Sequence, residues 1–343
     1  MSDLYLDNGY VNFDYLWNKN QGFMMLVGGW GTGKTYGALK KVLETGKKFI
    51  YMRRLETALE ISSDEDGNPF KRLNKDLGLN IQPIMKKNLV KYYNCDVDEN
   101  GKNTPSGLPI GLGVALSTFS KMRGVDFSDV EYIIYDEFIL MSGERTIKDE
   151  FSSFLRFYET VNRNRELLNE PAVKCFMLGN PNTMGNAYFL GWDMVKKWQV
   201  MEKSKQNIYT DSKSGVTLVR LNDSPISKRK QTETVLYKTE DEYMYENGII
   251  AQFAQSTQNI KSLNIRECYP IVGVGRIGIY GLRSKAGFYV SAKGILDPYY
   301  MNRDDDLKNF RIMYGLIKVS YYKKTVIFET YDCELRFKEY FGL

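Results

Sequence analysis

The chain has 343 residues, 43% hydrophobic and 26% charged, with a net charge of +5: enough for one large or two ordinary domains, and a charge that permits a polyanionic partner without demanding one. It contains no histidine, which excludes a Ser–His–Asp triad, a Cys–His dyad and any His-ligated metal, and leaves acid–base work to carboxylates, Lys or Tyr. Four scattered cysteines (Cys95, Cys175, Cys268, Cys333) form no C-x-x-C pair and predict buried thiols in a reducing cytoplasm, while a polar start and the lack of a long apolar run predict neither a signal peptide nor a membrane span.

Residues 1–22 carry Tyr5, Tyr10, Phe13, Tyr15 and Trp17. They are expected to pack over a sheet edge, with stacking on an adenine as the alternative. Next, the apolar run Phe23–Val27 leads into Gly28-Gly29-Trp30-Gly31-Thr32-Gly33-Lys34-Thr35, which fills every fixed position of G-x-x-x-x-G-K-[ST]. Glycines let the loop turn its amides inward around a polyphosphate. Lys34 supplies a point charge, the Thr35 hydroxyl is placed to ligate Mg²⁺, and a helix over about 34–44 aims its positive end at the same anion. The pattern predicts a nucleoside triphosphate site built from Gly28, Gly29, Gly31, Thr32, Gly33, Lys34 and Thr35.

A strand over Lys48–Arg54 completes a βαβ unit, so a parallel sheet is expected. Residues 55–90 read as an insertion at the sheet edge, followed by a strand at Leu89–Tyr93 and a hairpin whose Asn100-Gly101 tip predicts a type I′ turn with both central residues at positive φ. A strand around Val114–Ser117 precedes a loop holding Lys121 and Arg123. Then Val130–Tyr135 runs into Asp136-Glu137, where a parallel strand should end and ligands gather. Asp136 is placed to hold Mg²⁺ with Thr35, and Glu137 to polarise the attacking water. A helix over 149–168 carries Arg163 and Arg165, either ordinary helix-end cations or a finger for phosphoryl charge. The strand Val173–Gly179 ends at Asn180, a candidate γ-phosphate sensor.

From about 200 the chain turns polar and mixed in charge (Ser227-Lys228-Arg229-Lys230, Glu240-Asp241-Glu242), which predicts a linker or small helical subdomain. Beyond 249, strands are expected at Tyr269–Val274, Arg276–Tyr280, Phe288–Val290, Phe310–Val319 and Thr325–Thr330. Lys and Arg outnumber Asp and Glu by five from residue 258 on, a hint of a nucleic-acid-facing surface. A GTPase is disfavoured: no glycine follows Asp136 at the required spacing, and Asn74-Lys75-Asp76 puts its Asp one place early. A P-loop kinase or another nucleotide enzyme acting on a small molecule or nucleic acid is the alternative function.

The loop Gly28–Thr35, Phe49–Arg54, Tyr135–Phe138, Thr160–Glu166 and Leu178–Asn180 together resemble the podovirus DNA encapsidation proteins, the ATPases of phi-twenty-nine-type packaging motors. The likeness is specific over about 23–190, weak through Ser227–Lys230 and Asp241–Tyr243, and fades beyond. It implies an α/β, RecA-like additional-strand ATPase domain (1–203), a linker subdomain (204–248) and a smaller β-rich, ribonuclease-H-like α+β domain (249–343). By resemblance, ATP and Mg²⁺ are used by a homomeric, pentameric ring at the portal vertex of a prohead. The ring works in the host cytoplasm, drives double-stranded DNA inward, uses a structural packaging RNA and is absent from the mature virion. Lys34, Thr35, Asp136, Glu137 and Asn180 would serve the nucleotide. Arg163 would be the finger offered to a neighbouring subunit, with Arg165 the alternative. Trp30 stands where a basic loop residue would suggest a cis-acting cation, a role then expected of Arg53 or Arg54. Lys102 at the hairpin tip, then Lys121 and Arg123, are the expected DNA contacts. Asp297, Asp332 and Glu334 make no convincing nuclease constellation.

Overall fold

A computed structural model describes residues 3–122, 124–141, 144–222, 224–235, 253 and 259–343. The chain divides into two compact units, residues 1–183 with 201–253, and 184–200 with 254–343.

The first unit is built on a ten-stranded sheet. Its strands are β1 (Phe23–Val27), β2 (Lys48–Arg53), β3 (Ile81–Lys86), β4 (Leu89–Val97), β5 (Asn103–Pro105), β6 (Gly111–Ala115), β7 (Val130–Asp136), β8 (Lys174–Gly179), β9 (Ile208–Asp211) and β10 (Val216–Arg220). The order is β3-β4-β6-β2-β7-β8-β1-β10-β9, with β5 on β4. From β6 to β10 all neighbours are parallel; β3, β4 and β9 pair antiparallel at the margins. The central strands are continuous apolar runs because both faces are covered. One face packs Met24, Leu26, Phe49, Tyr51 and Phe176 against Ala38, Leu39 and Val42 of the Lys34–Glu44 helix. On the other, Tyr135 stacks on Phe154 of the Glu150–Asn162 helix. Strand β8 lies between β1 and β7, so one strand separates the glycine loop from Asp136.

Among the N-terminal aromatics, Phe13 and Trp17 pack on the sheet's face, not its edge: Phe13 meets Phe176 of β8, and Trp17 stacks on Phe176 at 4.4 Å and tilts against Tyr132 of β7. The segment 204–248, expected as a linker, contributes β9 and β10, and β10 runs parallel to β1. Its Val216–Arg220 run is buried throughout, a short apolar strand hidden in a polar average. The hairpin tip is not type I′. Only Gly101 has positive φ, at 78°, because the Asp98 carboxylate accepts from the Asn100 and Lys102 amides at 2.9 and 2.8 Å and shapes the turn itself.

The second unit carries a five-stranded sheet of β11 (Asn259–Ile260), β12 (Cys268–Val274), β13 (Ile277–Leu282), β14 (Phe288–Ser291) and β15 (Val326–Phe328). Strands β12, β13 and β14 form an antiparallel meander, and β15 joins β14 in parallel. The strand expected at Phe310–Val319 is instead parts of two helices, Asp304–Met313 and Gly315–Tyr322. Three aspartates in the first turn suit the helix dipole, and Phe310, Ile317 and Tyr321 reach the core at helical spacing, beside Phe337 and Phe341 of the Tyr331–Phe341 helix. All four cysteines are free and buried. No described helix is long and apolar enough to cross a membrane.

Candidate nucleotide site

The site begins where β1 stops. Gly28 donates its amide to Gly179 on β8 at 3.1 Å, and a Cβ there would lie 2.6 Å from Leu221 Cβ, so the loop leaves the sheet in a space that admits only glycine. Gly31 and Gly33 hold φ of 71° and 87°, conformations that side chains resist. Gly33 is the N-cap of the helix that starts at Lys34. Thr32 braces the turn by donating to the Gly29 carbonyl at 3.1 Å.

Lys34 is buried. Its ammonium donates to the Gly28 carbonyl at 2.7 Å, the Gly29 carbonyl at 3.0 Å and Asn180 Oδ1 at 3.1 Å. Burial pulls its pKa down to about 8, with Asp136 and Glu137 pulling the other way and Lys230 adding to the depression. A buried cation whose partners are neutral oxygens favours an arriving anion. Thr35 Oγ1 donates to Asp136 Oδ1 at 2.9 Å, so the two oxygens assigned to a divalent cation already converge.

Alternation along β2 explains the rest. Tyr51 and Arg53 share the face that meets Asp136 and Glu137. The buried Tyr51 hydroxyl donates to Asp136 Oδ2 at 3.0 Å; Arg53 donates to the Tyr51 oxygen at 3.2 Å and ion-pairs with Glu137. Arg54 points to the opposite face. It makes a two-pronged contact with Glu150 at 2.8 and 2.9 Å and a third bond to Glu144 at 2.9 Å, so it serves the start of the Glu150–Asn162 helix, not the site. Glu137 itself sits at φ 53°, a strained turn, with Phe138 donating its amide to Leu178 on β8 at 3.3 Å. Burial raises its pKa, and Arg53 opposes that rise.

Lys34, Thr35, Asp136, Glu137 and Asn180 are therefore brought together with the loop glycines and Thr32. The other candidates lie elsewhere. Arg165 donates to the carbonyls of Ser128 and Val130, both at 2.7 Å, fixing the start of β7. Asn162 and Glu166 of the same motif bond each other at 2.7 Å. Arg163, at φ 51°, keeps a half-exposed side chain with a loose 3.5 Å pair to Asp126. Lys102 is exposed at the β4–β5 hairpin. Lys121 lines a cavity of about 1320 Å³ with Arg145, Lys148 and Arg156, away from the glycine loop. Arg123 and the stretch Glu240–Tyr243 fall outside the described residues. A second cavity of about 590 Å³ flanks the start of the Lys34–Glu44 helix, lined by Tyr10, Tyr36, Arg72 and Asp76 among others. Sequence reasoning passed over Tyr51 and Lys230; the two-residue period of β2 was the available signal for the first.

In the second unit two of the three carboxylates are engaged separately and the third is exposed. Asp332 accepts from Arg336 at 2.9 Å, buried Glu334 pairs with Lys338 at 3.0 Å, and Asp297 is exposed.

The family model described as Podovirus DNA encapsidation protein (Gp16) matches residues 6–260. Among solved structures, the chain is similar to the phi-28 gp11 DNA packaging motor, at 18% identity over 98% of this chain and 99% of that one, with a TM-score of 0.64. It is also similar to a chain of the bacteriophage phi-29 viral genome packaging motor assembly, at 18% identity over 97% and 98%, with a TM-score of 0.66. At such identity these two show a shared fold. No curated protein matches the chain.

Proposed function

Because the chain belongs to the podovirus DNA encapsidation protein family, matched over residues 6–260 of its 343, we propose that it is the ATP-hydrolysing motor that drives double-stranded DNA into a viral prohead. The observation that carries this reading is the convergence of Lys34, Thr35, Asp136 and Glu137 at the carboxyl ends of β1 and β7, with β8 between them. That order supports the RecA-like, additional-strand assignment.

The residues divide the work. Loop amides and Lys34 hold the polyphosphate, and the Lys34 ammonium exchanges its carbonyl partners for phosphate oxygens. Thr35 and Asp136 would hold Mg²⁺, and their preformed 2.9 Å contact fits that pair of oxygen donors. Bound Mg²⁺ would neutralise charge on the β- and γ-phosphates. Tyr51 fixes the second Asp136 oxygen and so orients the carboxylate. Glu137 orients and deprotonates the attacking water. Arg53 occupies the Glu137 carboxylate, so turnover requires that ion pair to open. Tyr10 and Tyr36 flank the cavity beside Gly33 and offer aromatic surface to the base.

Arg163 acts on a neighbouring subunit. Arg165 is bonded to Ser128 and Val130 at the start of β7, whereas Asp136 ends that seven-residue strand, a separation of about 20 Å. Arg163, two residues from Arg165, is thus remote from its own subunit's phosphate loop, and its exposure suits contact with another copy. A homomeric ring follows, pentameric by analogy with the family. Double-stranded DNA, the portal of the prohead and a packaging RNA are its partners, at the portal vertex in the host cytoplasm and not in the mature virion. DNA is gripped by Lys102, Lys121 and Arg123 through its backbone without sequence readout. The C-terminal unit is ribonuclease-H-like and does not cut: its mixed five-stranded sheet supports the first statement, and the capture of Asp332 and Glu334 by Arg336 and Lys338 supports the second.

The experiment is ATP-dependent protection of DNA from nuclease by purified proheads. Wild-type protein should protect DNA and Lys34→Ala should not. Protection without ATP, or by Lys34→Ala, would overturn the reading.

A further inference from the structure

Beyond β10 the chain does not leave the nucleotide site. Leu221 packs under Gly28, and Ser224 donates its hydroxyl to the Gly9 carbonyl at 3.2 Å. These contacts start a helix, Pro225–Glu233, whose Lys230 ammonium donates to the Trp30 carbonyl at 3.2 Å. A Cβ on Gly31 would lie 1.8 Å from that nitrogen. The third glycine of the loop therefore leaves room for a cation delivered from about 200 residues away in sequence, as well as a turn at positive φ. Its neighbour Arg229 is tied to Glu233 at 3.2 Å. Lys230 is close enough to Lys34 to disfavour that group's proton. Two ammonium groups beside one glycine loop, with Trp30 half-exposed where a loop cation would stand, make an arrangement that an anion relieves.

Resting on the nucleotide reading above, we propose that Lys230 is a cis-acting phosphate ligand: its ammonium leaves the Trp30 carbonyl for a β- or γ-phosphate oxygen of bound nucleoside triphosphate and draws the Pro225–Glu233 helix onto the loop. The cation missing from the loop sequence is supplied by this helix, not by Arg53 or Arg54, which serve Glu137 and Glu150.

The test is equilibrium binding of a fluorescent ATP analogue and the matching ADP analogue to the full chain, with thermal unfolding in parallel. The proteins are wild type, Lys34→Ala, Lys230→Met and Lys230→Gln. Loss of one charge-assisted phosphate contact should weaken ATP binding about tenfold or more in both Lys230 variants, with Tm unchanged to within a few degrees. Equal loss for ADP identifies the β-phosphate and loss for ATP alone the γ-phosphate; either supports the assignment. Unchanged affinity for both nucleotides, with or without a lowered Tm, makes Lys230 a structural latch and overturns it. Lys34→Ala separates the two claims: if it binds ATP like wild type, the nucleotide reading itself fails.

Discussion

Raising the pH should weaken ATP binding through a single residue, Lys34. In the nucleotide-free protein its pKa is pulled down to about 8 by burial, against the attraction of Asp136 and Glu137. Bound phosphate adds negative charge beside the ammonium and raises that pKa, so binding above pH 8 must first take up a proton. The sign follows: affinity is flat below about 7.5, where Lys34 is already charged, and falls as pH climbs past 8. One unit above the midpoint about nine-tenths of the sites are neutral, a tenfold loss, about 1.4 kcal/mol. Terminal phosphate has a second pKa near about 6, so the nucleotide contributes little to this window. Titration calorimetry of a slowly hydrolysed ATP analogue into the wild-type protein between pH 7 and 9.5, in two buffers of different ionisation heat, reads both affinity and proton uptake. Uptake should approach one proton by pH 9, and Lys34→Arg, which does not titrate, should lose the slope. Constant affinity to pH 9.5 with no uptake would refute the link between burial of Lys34 and its role.

Other substitutions separate the site from its scaffold. Arg163→Ala should lower turnover by about three to five orders of magnitude, and mixing it with Lys34→Ala subunits should restore activity if each supplies what the other lacks; no rescue in mixtures shown to co-assemble would make the residue cis-acting or structural. Arg54→Met removes the buried guanidinium that pairs with Glu144 and Glu150 and should cost about 3–5 kcal/mol of stability, read as the shift in a denaturant midpoint; a shift worth under about 1 kcal/mol would deny Arg54 its place as the anchor of those two carboxylates. Lys102→Ala should leave DNA-free ATP turnover intact while lowering DNA affinity and the slope of its salt dependence; unchanged packaging velocity would move the grip to Lys121 and Arg123.

The sequence spoke clearly where chemistry forces backbone geometry. The Gly28–Thr35 loop, Asp136-Glu137 at a strand end and the strand between them were legible because glycine content, apolar runs and polar termini are local signals. Asn162-Arg163-Asn164-Arg165 was legible as a motif but not as a division of labour: Arg165 grips carbonyls of β7 while Arg163 projects, and nothing in the spacing distinguishes them. Strand β10 was lost in polar surroundings, since five buried residues cannot offset the charge on either side. Phe310–Val319 looked like a strand because aromatic and β-branched residues favour sheets; packing of Phe310 and Ile317 against Phe337 and Phe341 decided for helices. Lys230 was out of reach altogether, for its place beside Gly31 depends on the β1–β10 pairing that carries it there.

The central claim is that Glu137 turns over ATP in response to DNA. The most direct measurement is steady-state ATP hydrolysis by wild-type and Glu137→Gln protein, each with and without DNA and purified proheads, alongside ATP binding. Wild-type turnover should rise when DNA and proheads are added together. Glu137→Gln should bind ATP as tightly as wild type yet turn over at least about a hundredfold more slowly. Near-wild-type turnover by Glu137→Gln, or a wild-type rate indifferent to DNA and proheads, would contradict the account.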